Sequence, residues 1–401
     1  MRHDALGEIN EFLVLDFLRE QLEATRAEIA EALALSPATI SRIVGRLLER
    51  GLVSEGPAAA TAGPGRPSTV LKLVLDRIAV VGIDLGGTKC HGALSSIDGV
   101  VLDEQVVTVA DAGGAFSALE TVWRTLAEKA AERDIAIGSL AVGVPAVIDP
   151  DTRLATRGPN VGWDGFDLLS GIEAFGVPFV VDNDVNLAAI AEGELGQAVG
   201  VRDYLLLSIG TGLGAAIVSN GSLVRGRHNA AGEIGVMLPE SAMLPQPRTA
   251  QVGGLESVLS GAAIARRAAE RVAGDGAARE ELGEAPTAKD VIEAALAGRP
   301  HARSLIDGVL HALAVAVINT SSVTDPEIVI LDGSVGRALA PFFDEVDALV
   351  RNHVLTPPRL TASAIGPNST VRGAISAAIQ HLRRLDAPSS LTPLNSEGDR
   401  R

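Results

Sequence analysis

The sequence predicts an α/β protein in two parts, a winged helix-turn-helix module at the N terminus and a larger domain of two lobes. Three observations predict it. A helix, a short turn and a second helix with a basic free face lie before Gly51. A unit of strand, glycine loop, strand, tight turn and strand occurs twice, starting at Ile78 and again at Tyr204. The length of 401 residues exceeds what one small core supports. The expected boundaries are 1–75 for the first part, 76–386 for the second, and 387–401 for a disordered tail of Pro, Ser, Asp and Arg.

The first module is read from its caps and periodicity. Residues 11–21 carry Phe12, Leu13, Leu15, Phe17 and Leu18 at helical spacing. Thr25-Arg26-Ala27-Glu28 is a capping box opening a helix that ends near Ala32. After the Ala34-Leu35 turn, Ser36 offers an N-cap and Pro37 the first helical position of a third helix running to Arg50 and stopping at Gly51. Ile40, Ile43, Val44, Leu47 and Leu48 share its apolar face; Ala38, Arg42, Gly45, Arg46 and Glu49 share the other. That is the pattern of a helix placed in a DNA major groove. The candidate DNA-binding residues are Ser36, Ala38, Thr39, Ser41 and Arg42 near the helix start, with Arg46 on a base or phosphate. A flexible stretch from Gly56 to Gly65 and a strand from Thr69 to Leu75 read as a β-wing. Gly65-Arg66-Pro67 at its tip puts Arg66 in a narrow minor groove, or else forms a plain turn with a solvated arginine. A winged helix that binds protein instead of DNA is the competing reading of the module.

Charge supports the first reading. The whole chain carries −16. Between Ser36 and Leu75, however, Arg42, Arg46, Arg50, Arg66 and Lys72 face only Glu49 and Glu55. An acidic body limits unspecific adhesion to nucleic acid while the reader stays basic. Hydrophobic residues make up 47% of the chain, enough for well-packed cores. No apolar run approaches the ~18 residues of a membrane span, and residues 1–10 lack the apolar core of a signal peptide. The single cysteine, Cys90, excludes an internal disulfide or a cysteine-cluster metal site. A cytoplasmic protein with no membrane partner is the expectation.

In the duplicated unit, Ile78–Ile83 is a strand, Asp84-Leu85-Gly86-Gly87-Thr88-Lys89 a loop, Cys90–Ser95 a strand, Asp98-Gly99 a turn and Val100–Val109 a strand. The second copy runs Tyr204–Ile209, Gly210-Thr211-Gly212-Leu213-Gly214, Ala215–Ser219, Asn220-Gly221 and Ser222–Val224. Two such units imply two related lobes with a glycine loop each at the cleft. Glycines let backbone N–H groups approach phosphate oxygens, and Asp84 suits Mg²⁺ held through water. The candidate nucleotide-binding residues here are Asp84, Gly86, Gly87, Thr88, Lys89, Gly210, Thr211 and Gly212. A dinucleotide fold needs Gly-x-Gly-x-x-Gly opening a helix; Gly210, Gly212 and Gly214 lead into a strand, which argues against it.

At these residues the chain resembles the ROK family of repressors, uncharacterised frames and sugar kinases, from about Glu11 to Leu385. Asp84–Lys89 and Gly210–Gly214 resemble its two phosphate motifs, and Gly143-Val144-Pro145 its central segment, with Ala146 where glycine is usual. Pro159-Asn160 with Trp163, Gly232-Glu233-Ile234-Gly235 and Leu255-Glu256 resemble its sugar-contacting segments, and Asn183-Asp184-Val185-Asn186 its catalytic motif. The resemblance implies an actin-like ATPase fold. It implies Asp184 as general base toward a sugar hydroxyl, with Asn160, Asn183, Glu233 and Glu256 holding other hydroxyls. It also places Gly333 at the nucleotide. Taken singly, each of these polar residues also reads as a helix cap or a solvated loop residue.

Two departures matter. Many members hold zinc; aligned on Glu256, the ligand positions here are Val236, Pro247, Thr249 and Gly254, none of which can ligate the ion, so no zinc is expected. Second, Asp332-Gly333 stands in Ile328–Gly336 where the family usually shows two glycines, and that side chain alters the nucleotide pocket. Ala115–Arg133, Leu305–Val323 and Thr370–Leu385 read as scaffold helices.

Two functions are weighed. One is a sugar-responsive transcriptional regulator, a repressor by the resemblance, whose cleft binds a sugar or sugar phosphate. Its two or more reading heads would sit on a palindromic double-stranded operator, in a homodimer or homotetramer. The other is an ATP-dependent sugar kinase using Mg-ATP, alone or combined with regulation. An acetyl-CoA or structural actin-like role has only the shared fold behind it, and fold alone does not decide function.

Overall fold

The computed structural model describes residues 10–11, 13–15, 17–18, 21, 23–49, 53–57, 69–74, 77–156, 158, 161–239 and 253–385. Arg50, Gly51, the wing tip with Arg66, Asn160, Pro247, Thr249 and the tail at 387–401 lie outside them.

The described positions of 10–21 are helical (α1). Thr25 caps α2 (Arg26–Ala32) as a capping box: Glu28 N–H donates to Thr25 Oγ1 at 3.2 Å, and Thr25 N–H donates to Glu28 Oε2 at 2.7 Å. Ser36 Oγ accepts from Thr39 N–H at 3.2 Å at the start of α3 (Pro37–Glu49), whose Ile40, Ile43, Val44 and Leu47 are buried with Val14, Leu18 and Ile29. The wing is a three-stranded sheet. β2 (Val53–Pro57) and β3 (Thr69–Leu73) pair antiparallel, and β1 (Glu23–Thr25), which the sequence did not announce, adds to the far side of β3.

The duplication is literal in the topology. The first lobe orders its strands β6 (Val101–Thr108), β5 (Lys89–Ser96), β4 (Ile78–Leu85), β7 (Ala136–Val144) and β10 (Phe179–Asn183). The second orders them β13 (Ser222–Leu223), β12 (Leu213–Ser219), β11 (Tyr204–Ile209), β14 (Ile328–Asp332) and β15 (Arg359–Ala362). Both follow a chain order of third, second, first, fourth, fifth. In both, the first strand pairs antiparallel with the second and parallel with the fourth. A small ribbon, β8 (Val147–Ile148) with β9 (Ala155–Thr156), and the short helix α5 (Leu168–Glu173) extend the first lobe.

Helices cover each sheet on both faces. α4 (Ala115–Glu132) packs Leu119, Val122 and Leu126 on Ile83 and Leu94 at the outer face of the first sheet. The outer face of the second sheet carries α7 (Glu256–Leu259), α8 (Gly261–Gly274), α9 (Gly276–Leu282), α10 (Ala288–Leu296), α11 (Pro300–Thr324), α12 (Gly333–Ala338) and α13 (Phe343–Arg351). Between the sheets lie α6 (Asp184–Leu195) and α14 (Ser369–Leu385), each following the fifth strand of its lobe. α14 packs Val371, Ile375 and Ala378 on Val80 and Ala141 of the first sheet, while α6 packs Val185, Ala188 and Ala189 on Leu206 and Ile330 of the second. This sandwiched position explains why α6 has no polar face: even Asn186 and Glu192 are buried.

One expectation needs correction. α11 is 25 residues long with a mean hydropathy of 1.4 over its most apolar window, which by length and composition suffices to cross a membrane. Its apolarity has a local use, because Leu305, Ile306, Val309, Leu310, Leu313 and Val317 form the centre of the second-lobe core.

Candidate effector cleft and nucleic-acid face

The topology fixes where a site can form. β4, β7 and β10 run parallel, so their carboxyl ends deliver Asp84, Val144 and Asn183 to one edge of the first lobe. β11 and β14 run parallel in the second and deliver Gly210 and Asp332-Gly333 to its edge. Ligands of open α/β sheets bind outside such ends. The cleft between them, about 530 Å³, is lined by Asp84, Gly86, Gly87, Thr88, Lys89, Asn183, Asp184, Gly210, Thr211, Gly212, Glu233, Glu256 and Gly333. Every sequence-derived cleft candidate among the described residues therefore meets there.

Asp184 is the first residue of α6. Asn183 Oδ1 and Asp184 Oδ1 both accept from Val185 N–H at 2.9 Å, so Asn183 is the helix cap as well as a cleft residue. Behind them Asp182 Oδ1 accepts from Asn186 Nδ2 at 2.8 Å while its other oxygen pairs with Arg225. Arg225 belongs to a strap that follows β13 and reaches the first lobe. Arg227 Nη2 donates to both carboxylate oxygens of Asp151, at 2.9 and 3.0 Å, and Asn229 Nδ2 donates to Ile148 O at 2.9 Å. The strap ends at Gly232, whose φ of +92° and tight approach to Ala215 O permit no side chain. That contact aims Glu233 at the cleft. Glu256, in the first turn of α7, accepts from Gly253 N–H at 3.5 Å.

Burial dominates the electrostatics. It raises the Asp184 carboxyl to about 7, helped by the nearby charges of Asp84 and Glu233 and opposed by the Val185 amide. It raises Asp84 to about 6, against the pull of Lys89. Two carboxyls poised near neutrality across one cleft can accept and return protons or hold polar hydrogens. The glycine turns close on themselves: Gly86 N–H donates to Lys89 O at 2.9 Å and Gly210 N–H to Gly212 O at 3.0 Å.

Sequence reasoning missed several lining residues, among them Asn229, Arg337, Ser369 and Thr370. Arg337 had a local signal, one helical turn beyond Asp332. Ser369 and Thr370 had none, since Thr370 Oγ1 meets Asp184 O (3.4 Å) across 186 residues of chain. Asp332 is 2% exposed and is held by Arg337 and by Ser369 Oγ.

The zinc positions that are described do not fit the ion. Val236 offers only hydrocarbon to the cleft, and a Cβ at Gly254 would lie 2.8 Å from Met237 O. Toward Mg-ATP the residues divide. Asp84 and the glycine loops suit it, whereas Asp332 and Arg337 stand as an ion pair beside the second glycine loop.

On the N-terminal module, Ser36, Ala38, Ser41, Arg42 and Arg46 are exposed on one side of α3 and Thr39 is half-buried beside them. Ser36 Oγ and Thr39 Oγ1 are engaged with each other at 2.9 Å. Arg42 has no ion-pair partner among the described residues. Arg46 pairs with Glu11 of α1 at 2.8 Å, a contact the sequence reading did not foresee.

A small basic helix-turn-helix joined to a duplicated, two-lobed domain with paired glycine loops and cleft carboxylates defines a sugar-kinase-like protein equipped with a nucleic-acid reader. Residues 80–381 match the ROK family and residues 8–61 the MarR family, so the chain belongs to the ROK family and carries a MarR-type winged helix. It is similar to a xylose repressor of Caldicellulosiruptor bescii, 27% identical over 86% of each chain. It is also similar to a glucokinase of Halalkalibacterium halodurans, 30% identical over 73% of this chain and 92% of that one. A crystal structure of a ROK family transcriptional regulator, a homologue of Escherichia coli MLC protein, superposes with a TM-score of 0.75, covering 96% of this chain and 99% of that one at 23% identity. That likeness shows the fold.

Proposed function

We propose that the chain is a cytoplasmic, sugar-responsive transcriptional regulator, a repressor by its relatives, that binds a palindromic double-stranded operator as a homodimer or homotetramer. The observation that carries the reading is the exposed Arg42, without an ion-pair partner among the described residues, on a helix-turn-helix fused to the cleft domain; a plain sugar kinase needs no such module. The similarity to a xylose repressor across both parts supports it. In this reading residues 1–75 are the reader and 76–386 the sensor. Asn160, Asn183, Asp184, Glu233 and Glu256 hold the hydroxyls of a sugar or sugar phosphate, and the lobes change the spacing of the heads. Ser36, Ala38, Thr39, Ser41 and Arg42 meet base edges and Arg66 the minor groove.

The test is fluorescence anisotropy of the full chain on duplex DNA from the region upstream of its own gene, with a panel of sugars as competitors. Arg42→Ala should weaken specific binding by about 1–3 kcal/mol and relax sequence preference. Unchanged affinity at several salt concentrations would show that α3 does not read the groove.

A second reading, ATP-dependent sugar phosphorylation, is favoured by the facing Asp84 and Asp184 and by the similarity to a glucokinase. Release of ADP in the presence of any common hexose, amino sugar or pentose decides for it.

A further inference from the structure

The end of the cleft beside Gly210 contains a feature that neither function requires. Asp332 ends β14 nearly fully buried, with its carboxylate held by the Arg337 guanidinium and by Ser369 Oγ at 2.6 Å. Its direction is fixed by its neighbour: Gly333 has φ +77°, and a Cβ there would lie 2.3 Å from Ile209 O. The three partners come from β14, α12 and the first residue of α14, so the cluster is built into the junction of the lobes. All three line the cleft beside Gly210.

We propose that Asp332, Arg337 and Ser369 form a built-in plug of the nucleotide pole, which leaves the cleft a receptor for an uncharged polyol or sugar and excludes nucleoside phosphates. This deepens the regulator reading and rests on it for the sugar pole. A phosphate that takes Arg337 as its partner must draw it away from Asp332, which strands a buried carboxylate without its partner, a costly arrangement. Five carboxyl residues line the cleft against the two cations Lys89 and Arg337, and the plug already holds the second of these. Because the plug's carboxylate and guanidinium neutralise each other, an incoming polyphosphate is left with Lys89 as the lining cation.

The experiment is isothermal titration of Mg-AMPPNP into the full-length protein and three variants. The unsubstituted chain should show no saturable heat up to about 1 mM nucleotide. Asp332→Gly frees the guanidinium for phosphate and should tighten binding at least about tenfold, or ~1.4 kcal/mol. Ser369→Ala, a milder change, should shift affinity slightly in the same direction. Arg337→Ala leaves the carboxylate bare and should bind no better than the unsubstituted chain. Micromolar binding by the unsubstituted chain overturns the plug. So does a gain in Arg337→Ala equal to that in Asp332→Gly, or no gain in an Asp332→Gly protein that keeps its melting temperature. Failure of the regulator reading would appear in the DNA and sugar titrations and leave this nucleotide ranking readable.

Discussion

Asp184 and Asp84 show how one pair of side chains can tie stability to pH. Both carboxyls are raised, to about 7 and about 6, chiefly because burial disfavours the charged form. Their unfolded values sit near 3.8. The folded chain thus holds protons that the unfolded chain has released. Their contribution to stability is complete below about pH 4 and is lost as pH climbs through the folded values. Asp184→Asn removes the titration. The ligand-free variant should match the unsubstituted chain near pH 4 and exceed it near pH 8, by on the order of a few kcal/mol. Melting temperatures across that range check it; an offset independent of pH would mean that Asp184 is not held protonated by the fold.

At the scale of elements, the crossing of α6 and α14 sets the site. Gly373 of α14 lies so close to α6 that an added Cβ would sit 1.7 Å from Leu187 O, and one at Gly82 of β4 would sit 2.6 Å from Ile375 N of α14. Since Asp184 begins α6 and Thr370 of α14 reaches its carbonyl, moving the helices apart moves the acid. Gly373→Ala should cost about 1–3 kcal/mol or more in urea unfolding, with loss of ligand response; a change under about 0.5 kcal/mol would place the crossing elsewhere. What was legible in the sequence follows the same division. The Thr25–Glu28 capping box, the Ser36 cap and the Asp98-Gly99 and Asn220-Gly221 turns are written in neighbouring residues and appear where they were read. The glycine loops and cleft carboxylates were legible because the unit repeats and matches a family pattern. β1 was not, because three residues become a strand only through pairing with Lys72, Leu71 and Val70 far along the chain. The Arg337–Asp332–Ser369 cluster was half legible: Asp332 stood out, but its partner on α14 is joined only by the fold.

For the whole molecule the governing quantity is charge. A chain of −16 approaches DNA against its own field, so the few cations of the reader must carry the encounter. Several of them are engaged: Arg26 pairs with Glu55, Lys72 with Glu23, and Arg46 with Glu11 on α1, the Glu11 side chain 15% exposed and the Arg46 side chain 45% exposed. A phosphate competing for Arg46 must displace that carboxylate, which lowers affinity for every sequence alike and so discourages binding away from an operator. Glu11→Gln removes the competitor and leaves α3 intact. Affinity of the full chain for a random duplex should rise, and the slope of log affinity against log salt should steepen by up to about one phosphate's worth, since one more counterion is released. Arg46→Ala in the same background should return both to the starting values. If the slope stays constant in all three proteins, Arg46 does not meet the backbone, and the Glu11 pair serves only to dock α1 on the reading helix.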